Sequence, residues 1–189
     1  MNTITVADVN ADVSMLMGSF SEEARVIPSS AALFKISTAV PLIAFVLSIF
    51  SDIIGYISLD RSESSLNGLY NYFLSDGWAV LVPTAIIGLL FTFMTYNNLM
   101  MYMAVPEAAR GRSVILSHLK KIVKRTVKLF LALMIIATVF SSMINWLAFA
   151  IPLLLFILLF AVNLVVGAEI NRLGAGIALE KISKLINKI

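Results

Sequence analysis

Asp52 is the residue whose surroundings most invite chemistry. It is the sole charge in the apolar run from Ile36 to Leu59. A carboxylate among apolar neighbours is costly unless it is paired or hydrated. The other polar residues of the apolar runs are not scattered. Pro41, Ala44, Ser48, Ser51, Asp52 and Gly55 share one helical face of the first run. Thr84, Gly88, Thr92 and Thr95 do so in the second, and Thr138, Ser141, Ser142 and Asn145 in the third. Small residues let helix backbones approach, and hydroxyls supply interhelical hydrogen bonds. Ser48, Asp52, Thr84, Ser142 and Asn145 sit at similar depths along their runs, so they form the candidate polar cluster. Two readings stand side by side: a packing network around one hydrated carboxylate, and a site for a proton, a cation or a partner.

Enzymatic arrangements do not assemble from this inventory. With no cysteine, thiolate nucleophiles and thiolate metal sites are excluded. An aspartyl protease within the membrane needs two facing carboxylates, and only Asp52 lies deep in an apolar run. A serine nucleophile needs a base, yet the single histidine, His118, falls in a basic loop, where a wet interfacial position is expected. There is no HExxH motif, and Gly174-Ala175-Gly176 lacks the phosphate-loop pattern. Met100, Met101 and Met103 suit adaptable packing better than metal handling. The expectation is no enzyme activity, no metal and no cofactor.

These residues need helices in lipid to hold them. The chain has 189 residues, 60% hydrophobic and 13% charged, against about 45–50% and 25% in ordinary soluble domains. That balance excludes a soluble globular fold and a disordered one. A transmembrane helix takes about 20 apolar residues. The fold class expected is an all-α membrane protein with four spans, near 36–59, 78–105, 127–146 and 150–168. The last two come from one block, Val127–Ala168, of about 63 Å if continuous helix, which must fold back on itself; Asn145–Pro152 is the expected turn.

Basic residues set the orientation. Of the 14 Lys and Arg, seven lie between Arg110 and Lys128, and only Arg61 lies in the 60–77 loop. Four spans with both termini in the cytosol put every other basic residue inside. Trp78, Trp146 and Tyr56 then fall at the outer boundary, where amphipathic rings prefer to sit. The N-terminal segment lacks the basic-then-apolar signature of a cleavable signal peptide. The domain plan is a cytoplasmic segment 1–34, a membrane domain 35–168 and a basic tail 169–189.

Amphipathic interfacial helices are expected in the N-terminal segment, in the central basic loop and in the tail. Residues 5–20 carry a stripe of Val6, Val9, Val13, Leu16, Met17 and Phe20. Residues 112–128 set Ile115, Leu119, Ile122 and Val123 against Lys120, Lys121, Lys124, Arg125 and Lys128, the candidate contacts to anionic inner-leaflet lipid. Each such helix either lies flat on the inner leaflet or docks a partner helix. Aromatics are not interleaved with the basic residues, so no nucleic acid is expected. Tyr70, Tyr72, Phe73 and Trp146 are the candidate recognition residues of the outer face. The fourth span, with Asn163 and Gly167 as its main small or polar residues, is expected to face lipid more than the others.

The whole-chain plan resembles the small inner-membrane entry-exclusion proteins of F-type conjugative plasmids. What matches is a retained hydrophilic N-terminus (Met1–Phe34), a polytopic body, the basic loop Arg110–Lys128 and the basic end Lys184–Ile189. The resemblance implies a bacterial inner-membrane protein that blocks redundant DNA transfer into a plasmid-bearing recipient, by recognising the donor's mating-pair stabilisation protein. It transfers no functional position. The implied partners are the bilayer, a membrane or secretion-system protein, and further copies of the chain. A holin-like pore, a small ion or proton-coupled transporter using Asp52, and a bacteriocin immunity protein are the competing functions.

Overall fold

The computed structural model describes residues 4–22, 28–59 and 65–174, and these are all-helical. Helix α1 (Val6–Glu22) precedes the long α2 (Ser30–Leu59). A short α3 (Leu66–Tyr72) runs through one π-helical turn, Phe73–Gly77, into α4 (Trp78–Ala104). A short α5 (Glu107–Arg112) leads to α6 (Val114–Phe140). A turn and a 3₁₀ segment, Asn145–Phe149, then connect to α7 (Ala150–Arg172).

Among the described residues, three helical stretches are long and apolar enough to cross a membrane: Ser30–Ser58, Leu66–Ala104 and Asn145–Arg172. Helix α6 does not qualify as those do, because its first half carries Lys120, Lys121, Lys124, Arg125 and Lys128. The separate interfacial helix and third span expected at 112–128 and 127–146 are one continuous helix. No proline or glycine interrupts Val114–Phe140, so nothing in the backbone separates the basic half from the apolar half. Phe140 ends that helix, six residues before the expected boundary. Helix α2 begins at Ser30 and α7 continues to Arg172, so both membrane-domain boundaries, 35 and 168, fall inside helices. The expected amphipathic tail lies, beyond Gly174, outside the described residues.

The long helices pack side by side, with α2 against α4, α6 against α7, and diagonal contacts of α4 with α7 and α2 with α6. Small residues seat the tightest of these crossings. A Cβ added at Gly88 would lie 3.2 Å from the Pro41 Cβ, so glycine lets α4 approach α2 here without displacing Pro41. Ala44, Phe91, Met134, Ile151, Leu155, Leu158 and Leu159 form the apolar core. Four of these seven come from α7. Helix α7 thus supplies most of this core, while its apolar window is no more buried than that of α2, 28% each, and less than the 33% of the Leu66–Ala104 stretch. Leucine fills the space between the other helices without needing a polar face.

The N-terminal helix covers the start of α6. Val9 packs with Ile115, and Leu16 with Val105 and Ala109. Asp12, buried, accepts hydrogen bonds from the Ser113 hydroxyl (2.8 Å) and the Ile115 backbone N–H (2.9 Å). Ser113 in turn accepts from the Leu116 N–H and is the N-cap of α6. A carboxylate and a hydroxyl thus satisfy donors that the first turn of a helix leaves free. Part of the expected apolar stripe, Val9, Val13, Leu16 and Met17, is packed within the chain, while Val6 stays exposed.

Candidate functional site

Polar groups gather at the two ends of the bundle. One end, the basic end, brings together α1, α5, the start of α6 and the end of α7. There His118 Nε2 lies 2.6 Å from Glu169 Oε1, and Arg172 also contacts Glu169. His118 is partly buried in this contact and not a freely wet side chain. The five cationic side chains Lys120, Lys121, Lys124, Arg125 and Lys128 are all exposed on α6. Outside this layer, Asn98 and Asn163 meet between α4 and α7 at 3.4 Å.

The other end holds Asp52. Its helical face is buried as the spacing predicts: Ala44, Ser48, Ser51 and Asp52 are all at most 2% exposed. Thr84 meets that face, with Ser48 Oγ and Thr84 Oγ1 3.1 Å apart. Each hydroxyl also reaches a carbonyl one turn back, Ala44 O for Ser48 and Val80 O for Thr84. Ser48 and Thr84 are therefore satisfied structural contacts. Ser142 does not join them. It is exposed and donates to the Val139 carbonyl, while Ser141 turns inward, 3.5 Å from the Ser51 carbonyl. The end of α6 at Phe140 decides this, because the turn rotates Ser142 off the inner face. Asn145 is also exposed, but it lines a cavity with Asp52.

That cavity measures about 380 Å³. Its wall includes Asp52, Tyr72, Asp76, Trp78, Asn145 and Trp146. Asp52 Oδ2 is buried and has no hydrogen-bond partner among the described residues. The same is true of Ser51 Oγ. The π-helical turn, Phe73–Gly77, carries the wall past the carboxylate. A Cβ at Gly77 would lie 3.4 Å from Asp52 Oδ2 and 3.0 Å from Phe73 Cδ1. Such π turns recur at functional sites because they widen a helix locally. Gly77 was not singled out by sequence reasoning, and neither were Ser75 and Asp76; a π turn leaves no plain signature in apolar periodicity.

The candidate outer-face aromatics divide. Tyr72 is half-buried, packs against Tyr56 with ring centroids 5.6 Å apart and planes tilted by 46°, and lies against Gly55. Phe73 is half-buried in the π turn. Tyr70 and Trp146 are 65% and 82% exposed. Among the described residues, no three His, Asp or Glu side chains form a group able to hold a metal ion.

No family model, curated protein or solved structure matches the chain.

Proposed function

We propose that the chain is a four-span inner-membrane recognition protein with both termini in the cytosol, and that it confers conjugative entry exclusion. In this reading it sits in a plasmid-bearing recipient and binds the donor's mating-pair stabilisation protein through the cavity end. The observation that carries it is the exposed rim there: Tyr70, Trp78, Met143 and Trp146 all present large apolar surface. Aromatic side chains are the usual anchors of protein recognition, and they suit a membrane boundary equally well.

Support for α6 as the fourth crossing comes from its ends. His118 meets Glu169 at the basic end and Ser141 meets Ser51 at the cavity end. From His118 to Ser141 the helix rises roughly 35 Å, of which the uncharged stretch from Leu129 to Phe140 covers about 18 Å, so a crossing of a hydrocarbon core of about 30 Å draws on the stems of the cations before it. The lysine and arginine stems can run along apolar surface and keep their charges in the headgroup layer. The exposed cations of α6 then face anionic inner-leaflet lipid.

Expression in a recipient cell tests the function. The expected result is reduced acquisition of a related F-type plasmid with normal growth, relieved by Trp146→Ala or Tyr70→Ala at unchanged membrane abundance. Undiminished acquisition with the protein in the membrane overturns it. Dye leakage with growth arrest would point to a pore, and solute uptake lost in Asp52→Asn to a transporter. Reporter fusions at residues 68 and 118 test the topology, with 68 expected outside and 118 inside.

A further inference from the structure

The cavity beside Asp52 has a wall built for positive charge. Two carboxylates, Asp52 and Asp76, line it. Tyr72, Ser75 and Asn145 add oxygens able to accept beside their own donor groups, the two tryptophans contribute indole N–H donors, and no lysine, arginine or histidine is among the lining residues. Trp78, Trp146 and Phe149 add aromatic surface. We propose that this cavity binds a small organic cation of the ammonium class, with Asp52 as its counter-ion. The inference stands apart from entry exclusion and does not depend on it.

Asp52 itself is the main argument. It is 98% buried, being 2% exposed, yet Oδ2 lacks a hydrogen-bond donor among the described residues. Native structures seldom leave a buried carboxylate oxygen unpartnered. A cation entering the cavity supplies the missing charge. Asp76 is different: it is exposed, and its Oδ2 accepts from the Ser75 hydroxyl at 2.9 Å. It adds attraction at the mouth of the site. Trp78 is already anchored, with its indole N–H donating to the Ser75 carbonyl at 3.0 Å.

The class of cation follows from size and wall chemistry. A volume of about 380 Å³ lies near the lower end of the roughly 300–1,000 Å³ of small-molecule sites and far exceeds a bare metal ion. Hard cations want six or more converging oxygens, whereas this wall pairs two carboxylates with aromatic surface. Aromatic faces attract alkylammonium groups through the ring quadrupole.

The protein carries its own reporter. Its only two tryptophans, Trp78 and Trp146, both line the cavity. The full chain in lipid nanodiscs, titrated with tetramethylammonium chloride at constant ionic strength, should show a saturable change in tryptophan fluorescence. Sodium chloride should not. Asp52→Asn, which keeps shape and removes charge, should weaken binding about tenfold or more. Asp76→Asn, at an exposed position, should weaken it less. Thermal unfolding of each variant verifies that it is folded. Trp146→Leu changes an exposed side chain and should also weaken binding, now read by calorimetry. An unsaturable response, an equal response to sodium, or unchanged affinity in folded Asp52→Asn would each overturn the proposal.

Discussion

Two aspartates, both buried, divide the molecule. Asp12 at the basic end accepts from a hydroxyl and a backbone N–H, and joins two helices that are distant in the chain. Asp52 at the cavity end keeps one oxygen without a donor and faces open space. Residue type and burial are the same, so satisfaction separates the roles. A carboxylate that takes its donors from its own chain, as Asp12 does twice at Oδ2, is architecture. One held out of solvent with an acceptor left over has been placed for something outside the chain, because an unfilled buried acceptor is otherwise only a cost.

Substitutions at the two ends should therefore have opposite consequences. The largest loss is expected for Asp12→Ala, which strips the Ser113 hydroxyl and the Ile115 N–H of their acceptor. About 3 kcal/mol of local stability should go, as for a buried hydrogen-bonded charge. Limited proteolysis should then cut between α1 and α2 faster, while the long helices stay protected. If Asp12→Ala leaves α1 as protected as before, the contrast between the ends fails.

Gly88→Leu follows, at about 1–3 kcal/mol, because a side chain must force itself between α4 and Pro41 of α2. Its effect should appear as a lower unfolding temperature of the whole bundle. His118→Ala, which removes the contact to Glu169, should cost about 1 kcal/mol, measured in the same way. Asp52→Asn should cost nothing in stability, or raise the unfolding temperature slightly, since it removes a charge no donor compensates. A marked loss of stability there would make Asp52 architectural as well.

A local, pH-dependent effect belongs to Asp8. It is exposed and accepts from both the hydroxyl and the backbone N–H of Thr5, and those bonds hold its carboxyl below the ordinary 3.8. A depressed carboxyl stabilises the folded form above its unfolded value and loses that contribution as pH falls through its folded value. Fraying of α1 should thus increase only below about pH 4, and Asp8→Asn should remove this dependence. Circular dichroism of the full chain across that range checks it.

How much of this was readable in the residues varies with the physics behind each signal. Long apolar runs placed α2, α4 and α7 almost correctly, because lipid admits few other backbone structures. The face of Ala44, Ser48, Ser51 and Asp52 was readable too, since small residues at helical spacing suit close helix contact. Helix α6 reads as two segments because its cations look like a boundary, although neither lysine nor arginine breaks a helix. The partner of His118 was hidden by sequence distance: Glu169 lies 51 residues on. Ser142 was preferred to Ser141 on spacing alone, and a turn beginning one residue past Phe140 reversed them. The π turn that brings Asp76 to the cavity follows neither of the common periods, so no pattern announced it.

The bond between Asp12 and Ser113 also has a consequence for assembly. Those residues are 101 positions apart, and ribosomes add about 5–20 residues per second. Helix α1 leaves the ribosome ahead of α6 and therefore waits roughly 5–20 s for the surface that covers it. Until then its apolar stripe must be sheltered elsewhere, by lipid or by a chaperone. Helix α1 is made early and seated late, so a bulky fusion ahead of it that delays its seating should leave the beginning of α6 uncapped in the newborn protein.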